Sequence, residues 1–156
     1  MREWEKRKKE KIKLEYFDEV VMMIHIFLPM EKLPSATHQM KKVTVRNGKP
    51  VVYEPPAVKE VRAMFMAHFA KYRPEHPMEG PIWLVTKWIY PPTTKHPENT
   101  WKTTKPDTDN LVKLLKDVLT DLGFWLDDAQ VASEAIQKFY APTPGIYVQI
   151  EEMINM

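Results

Sequence analysis

Polar and apolar positions switch rhythm several times along the chain, and each switch marks an element. Val20–Met30 is an almost unbroken apolar run of about eleven residues, too short to span a bilayer and long enough for a buried strand. The first predicted strand is Val20–Leu28, and Met30–His38 reads as an irregular loop carrying Lys32 and Pro34. Two short alternating runs, Lys42–Arg46 and Lys49–Tyr53, flank Asn47-Gly48. That dipeptide supplies the positive φ a type I′ turn needs, so the segment predicts a hairpin, closed by Pro55-Pro56. Over Ala57–Tyr72 the apolar residues fall at 58, 61, 64, 65, 69 and 72, a helical period. Pro81–Tyr90 returns to a strand pattern, and 93–105 is a polar loop with Lys95, His96, Lys102 and Lys105.

A second helix is predicted from about Asp109 to Leu122, with Leu111, Leu114, Leu115, Val118, Leu119 and Leu122 as its stripe and Gly123 at C′. Phe124–Asp128 reads as a turn. Val131–Tyr140 and Ile146–Glu152 read as a closing pair of strands around Pro142–Gly145. The expected class is α/β (α+β): a small mixed sheet of about five or six strands with two main helices. Residues 1–15 form a charged extension, and 16–156 a single domain without repeat or linker. Met22, Met23, Met64 and Met66 are expected in the core. His25 is expected on a sheet face rather than on a metal.

Composition narrows the class of function. A chain of 156 residues has room for one proper core. With no cysteine, disulfides and thiolate metal sites are excluded. No segment resembles a secretory signal, so the expectation is a soluble, cytoplasmic protein with no membrane association. The net charge of +2 conceals a polarity along the chain. Residues 1–13 carry seven Lys or Arg against three Glu, for +4, and residues 31–49 five against one, again +4. From 117 to 156, seven acids face one Lys, for −6. A basic front and an acidic back suit a polyanionic partner and an acidic site.

The acidic candidate is Lys105-Pro-Asp-Thr-Asp-Asn110, followed eighteen residues later by Asp128. Asp107 and Asp109 sit one residue apart at the start of the second predicted helix, whose positive end favours carboxylates. Gathered carboxylates are costly unless a cation lies between them, and hard oxygen donors select Mg²⁺, Mn²⁺ or Ca²⁺. Lys113, one turn after Asp109, could steady developing charge on a phosphate. The same residues also fit a plainer role. Asp107, Thr108, Asp109 and Asn110 are all good N-cap types, Asp109 and Lys113 could form a helix ion pair, and Asp127-Asp128 could be turn acids. Lys32, Lys41, Lys42, Arg46 and Lys49 could contact phosphates. Among Trp83, Trp88, Trp101 and Trp125, any that is exposed could stack on a base.

The strings KPDTDNLVKLLKDVLTDLGFWLDDAQV (105–131) and PGIYVQI (144–150) resemble the RusA-type Holliday junction resolvases of bacteria, phages and prophages. The resemblance implies a small homodimer that cuts four-way DNA junctions symmetrically, in recombination and repair, with no small-molecule cofactor. It implies Mg²⁺ (or Mn²⁺) held by Asp107, Asp109 and Asp128, with Asp127 as the alternative third ligand and Lys113 as the catalytic lysine. Lys32, Lys41, Lys42, Arg46 and Lys105 would then track phosphates. One departure is that Leu33, Pro34 and Ser35 follow Lys32 where the family's loop is richer in arginine. A nuclease for other branched DNA, a DNA-binding protein without nuclease activity and a small assembly domain are the rival readings.

Overall fold

The computed structural model describes residues 20–35 and 42–154. In chain order these form β1 (Val20–Pro29), β2 (Lys42–Arg46), β3 (Lys49–Tyr53), α1 (Pro56–Phe69) with a 3₁₀ turn at Ala70–Tyr72, and β4 (Ile82–Tyr90). Then follow β5 (Thr100–Trp101), α2 (Thr108–Asp121), a 3₁₀ turn at Asp128–Gln130, β6 (Val131–Tyr140) and β7 (Gly145–Met153). Five strands make one mixed sheet in the order β1-β7-β4-β6-β5, and β2 and β3 form a separate two-stranded hairpin. β4 and β6 run parallel, and every other pairing between these strands is antiparallel. The class expected from the sequence is the class found. Among the described residues no helix is long and apolar enough to cross a membrane.

Most elements form for local reasons. Asn47 (φ 52°) and Gly48 (φ 72°) both adopt the left-handed backbone that the hairpin turn requires. Pro56 opens α1, where its missing N–H would have no partner anyway. Gly123 (φ 82°) ends α2. At Gly145 (φ 157°) a β-carbon would collide with the Leu28 carbonyl oxygen and the Phe27 ring, so only glycine lets β7 begin against β1.

The core lies between one face of the sheet and the two helices. Ile26, Leu28, Ile82, Leu84, Trp88, Ile146, Val148 and Ile150 supply the sheet side. Val58, Phe65 and Phe69 of α1, and Leu111, Val112, Leu114, Leu115, Val118 and Leu119 of α2, supply the other. Burying each such side chain contributes about 1.5–3 kcal/mol, and this burial holds α2 in place.

Three expectations need correction. β6 and β7 are strands, but they do not pair with each other, because β4 runs between them. β4 has buried residues of both registers, including Leu84, Val85 and Thr86. It therefore takes a central position, which sequence proximity alone does not reveal. Met22 (39% exposed) and Met23 (46%) are not core residues. β1 is an edge strand whose inward register is Ile24, Ile26 and Leu28, and a register irregularity falls between Val20 and Met22. Finally, the 124–128 turn is partly core: Phe124 and Trp125 are buried, and the Trp125 indole donates to Thr120 Oγ1 at 2.7 Å. Met64 and Met66 pack against the core as expected.

Candidate active site

The segment leading into α2 is held by an inward-register lysine. Lys138 of β6 donates from Nζ to the carbonyl oxygens of Thr104 and Pro106, each at 2.7 Å. Burial lowers its pKa, the neighbouring Lys102 lowers it further, and Asp107 pulls it back up. Lys102 in turn donates to Thr104 Oγ1 at 2.8 Å and lies over the rings of Tyr90 (4.8 Å) and Tyr140 (5.7 Å). His96 stacks on Tyr140 at 4.8 Å. Burial raises the Tyr90 phenol to about 12, so it is neutral across the working range. The Lys105–Pro106 peptide is cis.

Asp107 then occupies the N-cap position with extended backbone (φ −67°, ψ 149°), yet its side chain makes no capping hydrogen bond. Its carbonyl accepts the first helical bond from Leu111 N at 3.2 Å. Asp109 lies in the first turn, and both carboxylates are exposed. Two acidic groups thus face solvent at the positive end of a fourteen-residue helix, beside two lysines. Lys113 is exposed one turn further on, and among the described residues no ion pair joins it to Asp109. The plain capping and helix-pair roles open in the sequence are not the contacts these side chains make.

The other acidic pair is at the far end. Asp127 accepts from Ala129 N at 2.9 Å and caps the 3₁₀ turn, while Gln130 accepts from Leu126 N (2.8 Å) and Asp127 N (2.9 Å). Gln130 also donates to the carbonyls of Met78 (2.9 Å) and Gly80 (3.0 Å), tying the turn to the sheet. Asp128 is exposed and lines a cleft of about 450 Å³ with Arg62, Asp117, Thr120, Asp121, Leu126 and Asp127. Arg62 holds Glu54 through two nitrogens, Nη2 to Oε1 at 2.7 Å and Nε to Oε2 at 3.1 Å, and reaches Asp121 at 3.7 Å. Its pKa is raised, first by the Glu54 hydrogen bond.

Asp128 is therefore not beside Asp107 and Asp109 in one chain. β6 runs back along α2: Lys138 meets Pro106 at the helix start and Lys116 meets Glu134 midway (3.2 Å). The cleft holding Asp128 lies at the last turns. Fourteen residues at 1.5 Å each separate the two ends by about 20 Å. Among the described residues no group of three or more His, Asp or Glu is placed to hold a metal ion.

Lys32, on the bend after β1, and Lys42, Arg46 and Lys105 are all exposed, while Lys41 falls outside the described residues. Lys42 and Arg46 share one face of the hairpin with Lys49. Lys138 was not anticipated from the sequence. Its signal is a lysine on the register of Glu134, Ile136 and Tyr140, where β6 faces the helix.

Comparison with known proteins adds two kinds of likeness. A family model described as Endodeoxyribonuclease RusA matches residues 29–151. A Bacillus subtilis (strain 168) protein described as uncharacterized protein YqaN is 34% identical over 122 residues, which span 70% of this chain and 84% of that protein. The crossover junction endodeoxyribonuclease rusA of Lactococcus phage r1t is 29% identical over 126 residues, 80% of this chain and 94% of the phage protein.

Proposed function

The chain belongs to the RusA endodeoxyribonuclease family, and on that premise we propose that it resolves four-way DNA junctions, as a homodimer, by divalent-metal-dependent hydrolysis in recombination and repair. The activity resides in one domain, residues 16–156, with residues 1–15 a charged extension in sequence. The observation that carries this reading is the state of Asp107: it stands at a helix N-cap without capping, beside an equally exposed Asp109.

The donor set fits a hard cation. Asp107 and Asp109 offer carboxylate oxygens and no soft atom, which suits Mg²⁺, with Mn²⁺ as a substitute. Bound there, such an ion would lower the pKa of an attacking water and offset charge on the phosphate in transit. The chain's own residues do the rest. Lys138 fixes the backbone on which Asp107 is carried. Lys113 stands on the same helix face as Asp109, with its ammonium in solvent and within reach of a substrate phosphate. Lys105 and the hairpin cations meet the DNA backbone, so binding weakens as salt rises.

Asp128 enters through the dimer. A two-fold axis that sets α2 antiparallel to its copy brings the acidic far end of one helix to the Asp107 end of the other. Two such sites arise at once, one per strand to be cut, which matches the two-fold symmetry of a four-way junction. Asp128 is preferred to Asp127 because the Asp127 carboxylate already caps its own turn.

The test is a labelled synthetic four-way junction incubated with the protein and Mg²⁺ or EDTA, beside linear duplex and Asp109→Asn. Paired, metal-dependent nicks in the junction alone, lost in the variant, are expected. Binding without cutting under any divalent metal would overturn the nuclease reading. Cutting by Asp109→Asn at the wild-type rate would overturn the site.

A further inference from the structure

The four tryptophans of the described residues have different fates. Trp88 and Trp125 are each 1% exposed, and their indole N–H groups are bonded internally to Thr86 and Thr120. Trp83 is half-buried in β4, whereas Trp101 is 67% exposed. It lies on β5, the outermost strand of the sheet, and among the described residues no further strand covers it. Its cross-strand partner is Phe139, which meets the indole edge to face with centroids 6.0 Å apart.

The indole is exposed, but its backbone is fixed. Asn99 N donates to Tyr140 O at 2.7 Å just before it, and Lys102 N donates to Lys138 O at 3.0 Å just after it. Lys138 then clamps Thr104 and Pro106, so the path from Trp101 to Asp107 is tied to β6 along its length. The segment that carries it is cationic: residues 93–106 hold Lys95, Lys102 and Lys105 against Glu98. Among the described residues no fold-stabilising contact accounts for most of the indole surface. The indole shares the Phe139 face of the sheet, opposite the face on which Lys102 and Lys138 lie. A fixed aromatic surface at the sheet edge, on a lysine-bearing segment six residues along the chain from a candidate catalytic carboxylate, suits a ligand that is itself aromatic and attached to phosphate.

We propose that Trp101 is a stacking platform for an unpaired nucleobase at or next to the branch point of the DNA. This rests on the proposed function and adds a source of selectivity to it. Phosphate contacts are available on any duplex, whereas a base face is offered only where stacking is broken. Trp101 therefore favours branched over linear DNA, and the hairpin cations do not.

The test measures binding in EDTA, where nothing is cut, to a junction with 2-aminopurine beside the branch point and to linear duplex of the same sequence. Trp101→Ala is expected to weaken junction binding about tenfold, within the range of one base–aromatic stack, and to leave duplex binding and the salt dependence unchanged. Trp101→Phe should recover most of the affinity, and the wild type should quench 2-aminopurine where the alanine variant does not. The variant's melting temperature serves as the folding control. Equal junction binding by wild type and Trp101→Ala, with the wild type still cutting, would overturn this inference alone. An equal loss on junction and duplex would make Trp101 an ordinary backbone contact and also overturn it. A wild type that prefers junction no more than duplex and never cuts would overturn the proposed function, and the stacking role with it.

Discussion

The two ends of α2 carry similar carboxylates in opposite settings. At the start, Asp107 and Asp109 are exposed beside Lys102 and Lys138, and the helix dipole adds positive potential. At the finish, Asp117, Asp121, Asp127 and Asp128 gather about a cleft whose basic lining residue is Arg62, and the dipole there is negative. The first end has excess positive charge and the second excess negative. Two like ends would repel across a two-fold axis, whereas unlike ends attract. The division of charge along one helix therefore favours the antiparallel pairing that the proposed composite site needs.

The largest expected effect tests that pairing directly. Asp109→Asn and Asp128→Asn should each lower cleavage by at least about a hundredfold, since each removes a ligand or charge that acts in the transition state. Each should leave the melting temperature within a few degrees, because both side chains are exposed. Mixing the two inactive proteins, unfolding and refolding them together, should restore nicking. In a mixed dimer one composite site then carries both substitutions and the other carries neither. If the mixture stays inactive although mixed dimers form, the two ends of α2 serve separate sites.

A smaller effect separates support from chemistry at the basic end. Lys138→Met removes two 2.7 Å hydrogen bonds to the backbone that leads into Asp107. Groups that orient metal ligands typically change affinity or activity by roughly 10–100-fold, and a loss in that range is expected here. It should appear as a higher Mg²⁺ concentration at half-maximal rate, with Lys138→Arg partly restoring it. An unchanged metal dependence would reduce Lys138 to a loop brace.

Much of this was legible where the determining interactions are local. Asn47-Gly48 specifies its turn with two residues, and the α2 stripe needs only its own period. The neighbours of β7 are not local: nothing in Ile146–Ile150 says that β1 and β4 flank it rather than β6. Lys138 was hidden for the same reason, since its partners lie 34 and 32 residues away in sequence. Asp127 and Asp128 are indistinguishable as letters, and only the bond to Ala129 N separates the cap from the exposed acid. The family resemblance implied a common site for Asp107, Asp109 and Asp128, but a whole helix lies between Asp109 and Asp128, so one chain holds the two residues apart. Trp101 differs from the other three described tryptophans by its place on β5 at the sheet edge, which is a property of the fold and not of the residues beside it in sequence.

The smallest expected effect concerns Arg62 and sets the ends apart most sharply. Its side chain is three-quarters buried, and the guanidinium is bonded twice to Glu54 and lies near Asp121. Those contacts occupy donors that a phosphate would otherwise need. Arg62→Met should therefore cost stability rather than DNA affinity, about 1–3 kcal/mol for hydrogen bonds to a charged group. For a domain of this size that lowers the melting temperature by roughly 3–10 °C. Added salt should narrow the gap, because it screens the repulsion left among Glu54, Asp117 and Asp121. The measurement is a pair of melting curves at low and high salt beside junction binding in EDTA. A variant that melts normally but loses junction affinity would place DNA at the acidic end and erase the contrast between the two ends. A variant that melts early and binds normally assigns the cations at the start of α2 to the substrate and the one at its finish to the fold.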